Sequence, residues 1–355
     1  MTPKFHTLRI AEVRRETADA VSLCFEVPPE LAEDYRFVQG QHLTLKTELA
    51  GEEIRRSYSI CAGIDDGELR VAIKKVPAGR FSGWANDGIR VGDSIEVMTP
   101  EGRFHTPLDP AHRKHYVAFA AGSGITPVLS LIKTTLKAEP LSSFTLVYGN
   151  RRQAGVMFAE ALEDLKNRYL SRFTLFNLFS REEQDVPLFN GRLDRAKVAI
   201  FLDTLIPVDT IDAAFICGPG AMIDEVEAAL RDAGMAPADI HLERFGVPGE
   251  GPEHHAEPGD APQASVTVIA DGLRREMEFH AEDPSILEVA LRAGMDLPYS
   301  CKGGVCCTCR ARVVEGRVRM DKNYTLEQAD IDAGFVLTCQ AHPLTERVVI
   351  SFDDR

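Results

Sequence analysis

The sequence predicts a multidomain protein in which an antiparallel β-barrel, an α/β domain with a parallel sheet and an α+β domain follow one another. Three observations predict this order. Short strand-like runs separated by turns continue to residue 107, and apolar runs then alternate with helical stretches to residue 247. A run rich in Pro and Gly precedes a final set of strands. We therefore expect domains at residues 1–107, 108–247 and 264–355, with a linker at residues 248–263.

The composition places the chain among ordinary globular proteins. Its 355 residues are enough for several domains, and 44% of them are hydrophobic and 26% charged. The formal net charge of -14 disfavours a nucleic-acid partner. The first residues lack the apolar run of a signal peptide, and no stretch has the length of a membrane span. We therefore expect a cytoplasmic protein that binds neither nucleic acid nor membrane.

In the first domain, a short strand carries a group of candidate ligand contacts, Arg56-Ser57-Tyr58-Ser59. Alternation along a strand would place Arg56 and Tyr58 on one face and the two serines on the other. An Arg can pair with a phosphate, a Tyr can stack on a flat ring, and a Ser can hydrogen-bond a ring nitrogen. The same four residues would also suit an ordinary surface strand.

A second candidate site in this domain is the turn formed by Gly79, Arg80, Phe81 and Ser82. This turn opens a short predicted helix, with Ser82 near the helix N-terminus, where an anion is stabilised. Lys74 and Lys75 lie on the strand between the two pieces. Either lysine would help to neutralise a phosphate, or both would belong to a solvated edge strand; the sequence favours neither alternative.

In the second domain, the stretch from Gly122 to Thr126, including Gly124, joins a buried strand to a helix. The stretch lacks the full G-x-G-x-x-G pattern, but a strand-to-helix junction of this kind favours a pyrophosphate. Two further strands end close to Arg151 and to Ser180 and Arg181. Such arginines would clamp the 2′-phosphate of NADPH and favour it over NADH, or they would be ordinary surface residues.

Two later strand ends complete the predicted nucleotide site. The first is Cys217-Gly218-Pro219, where Gly and Pro bring the backbone close to a ligand. The second strand carries Glu243 and Phe245 near its end. From the residues alone, Phe245 would suit core packing and Glu243 a surface salt bridge.

The last domain contains a cysteine pattern of the form C-x4-C-x2-C followed by a distant fourth Cys: Cys301, Cys306, Cys309 and Cys339. This is the plant-type ligand pattern of a [2Fe–2S] cluster. A zinc ribbon would need two C-x2-C pairs, and disulfides suit an exported protein. Gly303 and Gly304 would let the backbone pass close to the cluster. Cys307 falls outside the ligand spacing, so we expect it to be a small buried residue.

The R-x-Y-S strand and the later G-x-x-S turn, in that order, resemble the flavin-binding barrel of the ferredoxin–NADP reductase family. The resemblance implies that Arg56, Tyr58, Ser59 and Ser82 contact FAD. It also implies that Cys217 lies beside the nicotinamide and that Glu243 and Phe245 lie near the flavin. The final segment resembles the β-grasp fold of plant-type ferredoxins, so the expected order is an FAD barrel, an NAD(P) domain and a ferredoxin domain.

On this reading, three residues act at the site of hydride transfer: Ser59, Cys217 and Glu243. The predicted contacts to FAD and NADPH are Arg56, Ser57, Tyr58, Ser59, Lys74, Gly79, Arg80, Phe81, Ser82, Gly122, Gly124, Thr126, Arg151, Ser180, Arg181, Cys217, Gly218 and Phe245. The predicted cluster ligands are Cys301, Cys306, Cys309 and Cys339.

The order of the three domains resembles that of oxygenase reductases, and in particular the reductase components of bacterial phenylacetyl-CoA epoxidases. The stretches that carry this resemblance are residues 37–46, 56–60, 122–127, 241–245 and 297–306. The resemblance implies electron transport from NADPH through FAD and the [2Fe–2S] cluster to a di-iron oxygenase of phenylacetate degradation. A flavin belongs between the other two carriers because it accepts a hydride and releases single electrons.

Two alternatives remain open. The terminal acceptor would instead be a steroid or Rieske-type hydroxylase, or a hydroxylamine-reducing protein, with the same three cofactors. The second alternative is a non-enzymatic iron–sulfur redox sensor, although the sequence shows no DNA-binding element.

Overall fold

The structure, a computed structural model, describes residues 4–245 and 259–354. Its backbone divides into two compact units. One unit comprises His6–Ile54 and Tyr58–Glu243, and so contains most of the first sheet together with the whole second sheet. The other comprises the described parts of Met1–Phe5, Arg55–Ser57 and Arg244–Arg355.

The first sheet is a closed antiparallel barrel with the strand order β4-β3-β6-β1-β2-β5. An isolated antiparallel bridge between Ile60 and Val71 joins the two ends of this order, so no edge is left open there. Apolar side chains such as Leu8, Leu23 and Val97 are fully buried inside it. The elements are β1 (Phe5–Thr17), β2 (Ala20–Glu26), β3 (His42–Leu49), β4 (Glu52–Ser59), β5 (Leu69–Lys74), α1 (Arg80–Asp87) and β6 (Ser94–Met98).

The second sheet is parallel, with the order β11-β10-β7-β8-β9. Both of its faces are covered: along β7, Tyr116 and Ala118 enter one core cluster, while Val117 and Phe119 enter another. This burial on two sides explains why its strands are continuous apolar runs. The elements are β7 (His115–Ala121), α2 (Ile125–Ala138), β8 (Ser143–Asn150), α3 (Ala159–Arg168), β9 (Phe173–Phe179), α4 (Arg195–Thr204), β10 (Ala213–Cys217), α5 (Gly220–Asp232) and β11 (Ile240–Glu243).

The third sheet is mixed, with the order β13-β12-β18-β14-β16, and a two-stranded sheet of β15 and β17 lies in the same unit. Helix α6 begins after Ser285, whose hydroxyl accepts a hydrogen bond from the backbone of Glu288, and ends before Gly294 at φ +81°. The elements are β12 (Gln263–Ala270), β13 (Leu273–His280), α6 (Ile286–Arg292), β14 (Arg310–Glu315), β15 (Val318–Met320), α7 (Gln328–Asp332), β16 (Phe335–Leu337), β17 (Ala341–Pro343) and β18 (Arg347–Ser351).

The predicted fold class is confirmed: an antiparallel barrel, a parallel α/β sheet and an α+β domain occur in that order. Most of the predicted linker lies outside the described residues, and its described end already contains the first residue of β12, Gln263. The domain boundaries therefore stay predictions. Within the described ranges, no helix has both the length and the apolar character needed to cross a membrane.

Candidate functional site

Three of the predicted site residues meet where the barrel adjoins the parallel sheet. The Ser59 hydroxyl, at the end of β4, donates a hydrogen bond of 3.1 Å to Oε2 of Glu243, at the end of β11. Cys217 ends the neighbouring strand β10 and is paired in register with Glu243. The ring of Phe104 packs edge-on against Phe215 of β10, with 5.4 Å between centroids. Residues that are far apart in sequence are thus held in one place by packed side chains.

Burial determines whether Glu243 and Cys217 are charged. Burial raises the pKa of the Glu243 carboxyl to about 8, although the hydrogen bond from Ser59 opposes the shift. Burial and the nearby Glu243 raise the pKa of the Cys217 thiol. At neutral pH, therefore, both groups are protonated and neither carries a negative charge.

The loop between β7 and α2 has the geometry of a phosphate-binding loop. A Cβ on Gly124 would lie 2.0 Å from the carbonyl oxygen of Cys217, so only glycine fits there. Gly122 has a φ of +55°. The Thr126 hydroxyl donates to the Ser123 carbonyl at 3.0 Å and so closes the first turn. The loop and the end of β10 are therefore in direct contact, at the N-terminus of α2.

Gly218 makes a second close approach beside this loop. A Cβ on Gly218 would lie 2.8 Å from the Met222 side chain and 3.2 Å from the backbone nitrogen of Ala121. The end of β10 therefore passes close to the end of β7, where the phosphate loop begins. The residues present thus suit a dinucleotide whose pyrophosphate lies on this loop.

Tyr148 supports the phosphate loop, a role that the sequence alone does not indicate. Its ring is fully buried, and its hydroxyl donates a 2.8 Å hydrogen bond to the Gly122 carbonyl. The Tyr148 hydroxyl oxygen also accepts a hydrogen bond from the backbone N–H of Met157. A tyrosine three residues before the predicted arginine was the available signal, but only the fold shows which loop its hydroxyl reaches.

The two predicted arginine positions lie side by side at the ends of β8 and β9. The backbone N–H of Arg181 donates to the Arg151 carbonyl at 2.9 Å, and that of Ser180 donates to the Asn150 carbonyl at 3.0 Å. Both arginine side chains are exposed. The carboxylate of Glu182 at the same edge accepts a hydrogen bond from the backbone of Gln153. Two guanidinium groups are therefore available to a ligand at the carboxyl edge of the sheet.

On the barrel, Tyr58 is backed by Phe81, whose ring centroid lies 5.5 Å away. Phe81 is buried, so its contribution to a flavin site is the support of Tyr58. Ser57 is partly buried on β4, and Arg56 is exposed and donates to the Arg55 carbonyl at 2.7 Å. A partly buried tyrosine ring next to the buried Ser59 suits the stacking and hydrogen bonding that an isoalloxazine ring requires.

The turn before α1 is tightly built. A Cβ on Gly79 would lie 2.4 Å from Oγ of Ser82. That hydroxyl is buried and accepts a 3.2 Å hydrogen bond from the backbone of Val76. Arg80 pairs with Glu52, and the neighbouring Lys74 lies 3.5 Å from Asp19. The local geometry gives Ser82, Arg80 and Lys74 protein partners, so their contacts to FAD stay predictions.

Phe245 follows β11 and is 45% exposed. It belongs to the second unit of the backbone, whereas Ser59 and Glu243 belong to the first. Its predicted place beside the flavin therefore stays a prediction.

The four predicted cluster ligands form two pairs. The thiols of Cys301 and Cys306 hydrogen-bond each other, as do those of Cys309 and Cys339. The bond from Cys306 and the backbone N–H groups around it lower the pKa of Cys301 to about 6, while the same contact raises the pKa of Cys306. No disulfide joins any of the eight cysteines.

A paired arrangement suits a cluster of two irons, because each iron of a [2Fe–2S] centre takes two protein ligands. In the described ranges, no group of three or more His, Cys, Asp and Glu side chains could hold a single metal ion. Cys307 has a φ of +55°, and its sulfur lies 2.9 Å from the Thr325 hydroxyl. The pairing of the four cysteines fits a binuclear cluster, whereas Cys307, expected to be buried, is only partly buried and contacts Thr325 instead.

Comparison with known protein families divides the chain in the same order as the sheets. Residues 7–106 match the family described as oxidoreductase FAD-binding domain. Residues 119–228 match the oxidoreductase NAD-binding domain, and residues 268–344 match the 2Fe-2S iron-sulfur cluster binding domain. The cofactors of the chain are thus FAD, a nicotinamide dinucleotide and a [2Fe–2S] cluster, and the chain is an oxidoreductase.

Similar proteins match the chain along nearly its whole length. It is 50% identical over 349 residues to one of the subunits of the 1,2-phenylacetyl-CoA epoxidase of Escherichia coli (strain K12), covering 98% of each protein. It is 34% identical over 354 residues to the 3-ketosteroid-9-alpha-monooxygenase, ferredoxin reductase component, of Rhodococcus rhodochrous, covering 97% of this chain and 96% of that protein. The solved structure of phthalate dioxygenase reductase matches with a TM-score of 0.60 and 25% identity, covering 98% of both chains.

Proposed function

We propose that this chain, which belongs to the family of flavin and iron–sulfur reductases that are components of oxygenase systems, carries electrons from NADPH to phenylacetyl-CoA epoxidase, a di-iron oxygenase of phenylacetate degradation. The observation that carries the choice of partner is the 50% identity to a component of the Escherichia coli epoxidase, over 98% of both proteins.

The bound groups supply the redox chemistry: the nicotinamide gives a hydride, the flavin accepts it and releases single electrons, and the cluster carries one electron at a time. The residues of the chain bind these groups and orient them relative to one another. The phosphate loop at Gly124 binds the pyrophosphate, and Cys217 lies beside the nicotinamide ring. Ser59, whose hydroxyl donates to Glu243, would hold that carboxyl beside the flavin, and Glu243, being neutral, would add no negative charge where the hydride arrives.

The preference for NADPH rests on the two exposed arginines at neighbouring strand ends, Arg151 and Arg181. A 2′-phosphate bound between two guanidinium groups would form charge-assisted hydrogen bonds that NADH cannot form. The same edge of the sheet also carries the carboxylate of Glu182, which accepts a hydrogen bond from the backbone of Gln153.

A second candidate function is electron supply to a steroid hydroxylase. The match to the ferredoxin reductase component of a 3-ketosteroid-9-alpha-monooxygenase, at 34% identity over 97% of this chain, favours it. The two functions use the same three cofactors and differ only in the acceptor. The lower identity makes the steroid system the second choice.

Reconstitution tests the partner. Purified chain, NADPH and the catalytic subunits of phenylacetyl-CoA epoxidase are combined with phenylacetyl-CoA, and the epoxide product is measured. We expect product only when all components are present, and none when Cys309→Ala replaces the parent chain. A matched control is Cys24→Ala, since Cys24 lies on β2 outside the cluster loop. Product from the 3-ketosteroid monooxygenase, together with none from the epoxidase, would favour the second candidate.

A further inference from the structure

Gln340 lies directly after the ligand Cys339, between strands β16 and β17. Its residue is only 5% exposed, although glutamine is normally a surface residue. A buried side-chain amide must find hydrogen-bond partners, so the identity of those partners indicates what the residue does. All of them belong to the cluster loop or to the segment of the fourth cysteine.

The amide nitrogen of Gln340 donates in two directions. It lies 3.0 Å from the carbonyl oxygen of Lys302, which follows the ligand Cys301. It also lies 3.0 Å from the carbonyl oxygen and 3.7 Å from the sulfur of Cys339. One amide group thus connects the two segments that carry the first and the last cysteine of the ligand set.

The segment that Gln340 reaches needs this support. Lys302 has a φ of +52°, a left-handed conformation that residues with a Cβ rarely adopt. Gly304, at φ +77°, lies beside Gln340: a Cβ there would be in van der Waals contact with the Gln340 Cγ, at 3.4 Å, and only 2.9 Å from the Lys322 carbonyl oxygen. The hydrogen bond to the Lys302 carbonyl therefore holds a strained turn in the shape that points Cys301 at its partners.

The amide of Gln340 has little freedom to turn away. Its backbone N–H donates to the Leu337 carbonyl at 2.9 Å, and its carbonyl accepts from the Asp321 backbone at 2.9 Å. Both backbone groups are therefore fixed from neighbouring segments. The side chain, packed on Gly304, presents its N–H groups to Cys339 and Lys302 in a fixed direction.

We propose that Gln340 is a positioning residue for the iron–sulfur cluster, which ties the segments of Cys301 and Cys339 together and raises the reduction potential by donating a hydrogen bond toward the Cys339 sulfur. The inference rests on the proposed ligand set. Reduction adds negative charge to the cluster and its sulfurs, so an N–H dipole directed at a ligand sulfur stabilises the reduced form. Removal of that dipole lowers the potential.

Two substitutions of similar volume test this role in the full-length protein. Gln340→Leu removes the amide, and Gln340→Glu keeps the length but replaces the donor with an acceptor. The matched control is Gln328→Leu, because Gln328 is exposed on α7 and bonds Asp332 of its own helix. Iron and labile sulfide are measured, and the potential is obtained from a redox titration followed by the EPR spectrum of the reduced cluster.

We expect both Gln340 variants to lose about tenfold in the equilibrium constant for one-electron reduction, which corresponds to about 59 mV, while Gln328→Leu keeps the parent potential. Should Gln340→Leu lose its iron, Gln340→Glu decides the sign of the shift. Loss of iron from both variants but not from the control would support the tie between the two segments. Variants that retain iron at the parent potential would overturn the proposal, whereas a parent protein without iron would instead refute the ligand set.

Discussion

At the scale of single residues, Glu243 shows how burial sets the chemistry of the site. A carboxyl at the end of a strand is normally charged, but here burial raises its pKa from 4.5 to about 8. Between these two values the folded protein retains a proton that the unfolded chain has released. The free energy of unfolding therefore falls as the pH rises through this window, and the contribution is lost above about pH 8.

Glu243→Gln should remove this pH dependence. The glutamine keeps a neutral hydrogen-bonding partner for Ser59 at every pH, whereas the parent carboxyl becomes charged above about pH 8 beside the proposed path of the hydride. We expect NADPH–ferricyanide reduction by the parent to slow as the pH rises through that value, and the variant to show a flat profile. Steady-state rates measured between about pH 6 and pH 9.5 test this. Superimposable profiles of the two proteins would contradict the role given to Glu243.

Arg151→Ala and Arg181→Ala should each raise the KM for NADPH about tenfold and leave that for NADH nearly unchanged, because a charge-assisted hydrogen bond to a phosphate contributes roughly 1.5–3 kcal/mol. Arg168→Ala is the matched control, since Arg168 is exposed at the end of α3, away from these strand ends. The KM for NADPH and the KM for NADH are measured with each variant to test this prediction. An equal rise for NADH would refute the assignment of the 2′-phosphate.

The residue types at the site were largely predictable from the sequence, but the contacts that hold these residues in place were not. The spacing of Cys301, Cys306 and Cys309 indicates a cluster because it is specific to that centre. Nothing local in the sequence indicates that the Tyr148 hydroxyl reaches Gly122 or that the Gln340 amide reaches Lys302. Such contacts depend on tertiary packing, which brings together segments whose separation in sequence carries no information about them.

At the scale of elements, the phosphate loop approaches the end of β10 so closely that no side chain fits at Gly124. Gly124→Ala would place a Cβ 2.0 Å from the Cys217 carbonyl, so one of the two segments must move. We expect a loss of about 1–3 kcal/mol or more in the free energy of unfolding, together with weaker NADPH binding. Urea unfolding and cofactor titration measure the two effects.

The control for this substitution is Gly155→Ala. A Cβ at Gly155, in the same domain, would meet nothing within 4 Å, so the same chemical change should leave both measurements near the parent values. Equal behaviour of the two variants would show that the contact at Gly124 is unimportant.

Elements were predictable where the hydrophobic pattern is strong. The apolar run in β7 is buried on both faces, and apolar runs that alternate with helical stretches predict such strands of a parallel sheet. Helix α4 was not predicted, and three of its residues, Val198, Phe201 and Leu202, are buried against α5 and the sheet. Helix α2 begins at Ile125, directly after the glycine loop, which itself forms a short 3₁₀ turn.

At the scale of the whole molecule, electrons enter as a pair and leave singly. Cys309→Ala removes one of the two ligands in the Cys309–Cys339 pair. We expect it to abolish cytochrome c reduction, which needs the cluster, and to spare ferricyanide reduction, which the flavin supports. Both rates are measured with NADPH, with Cys24→Ala as the control. Survival of cytochrome c reduction in a protein that lacks iron would show that electrons leave from the flavin directly.

The absence of room for a methyl group at Gly124 has a consequence for the choice of substrate. The loop at Gly124 and the end of β10 touch, so on the proposed assignment the places of the pyrophosphate and of the nicotinamide are held at one distance from each other. A dinucleotide with a longer or shorter bridge between its rings cannot be accommodated by moving one place without the other. We therefore expect the site to select its electron donor by the distance between its two rings as well as by its charge.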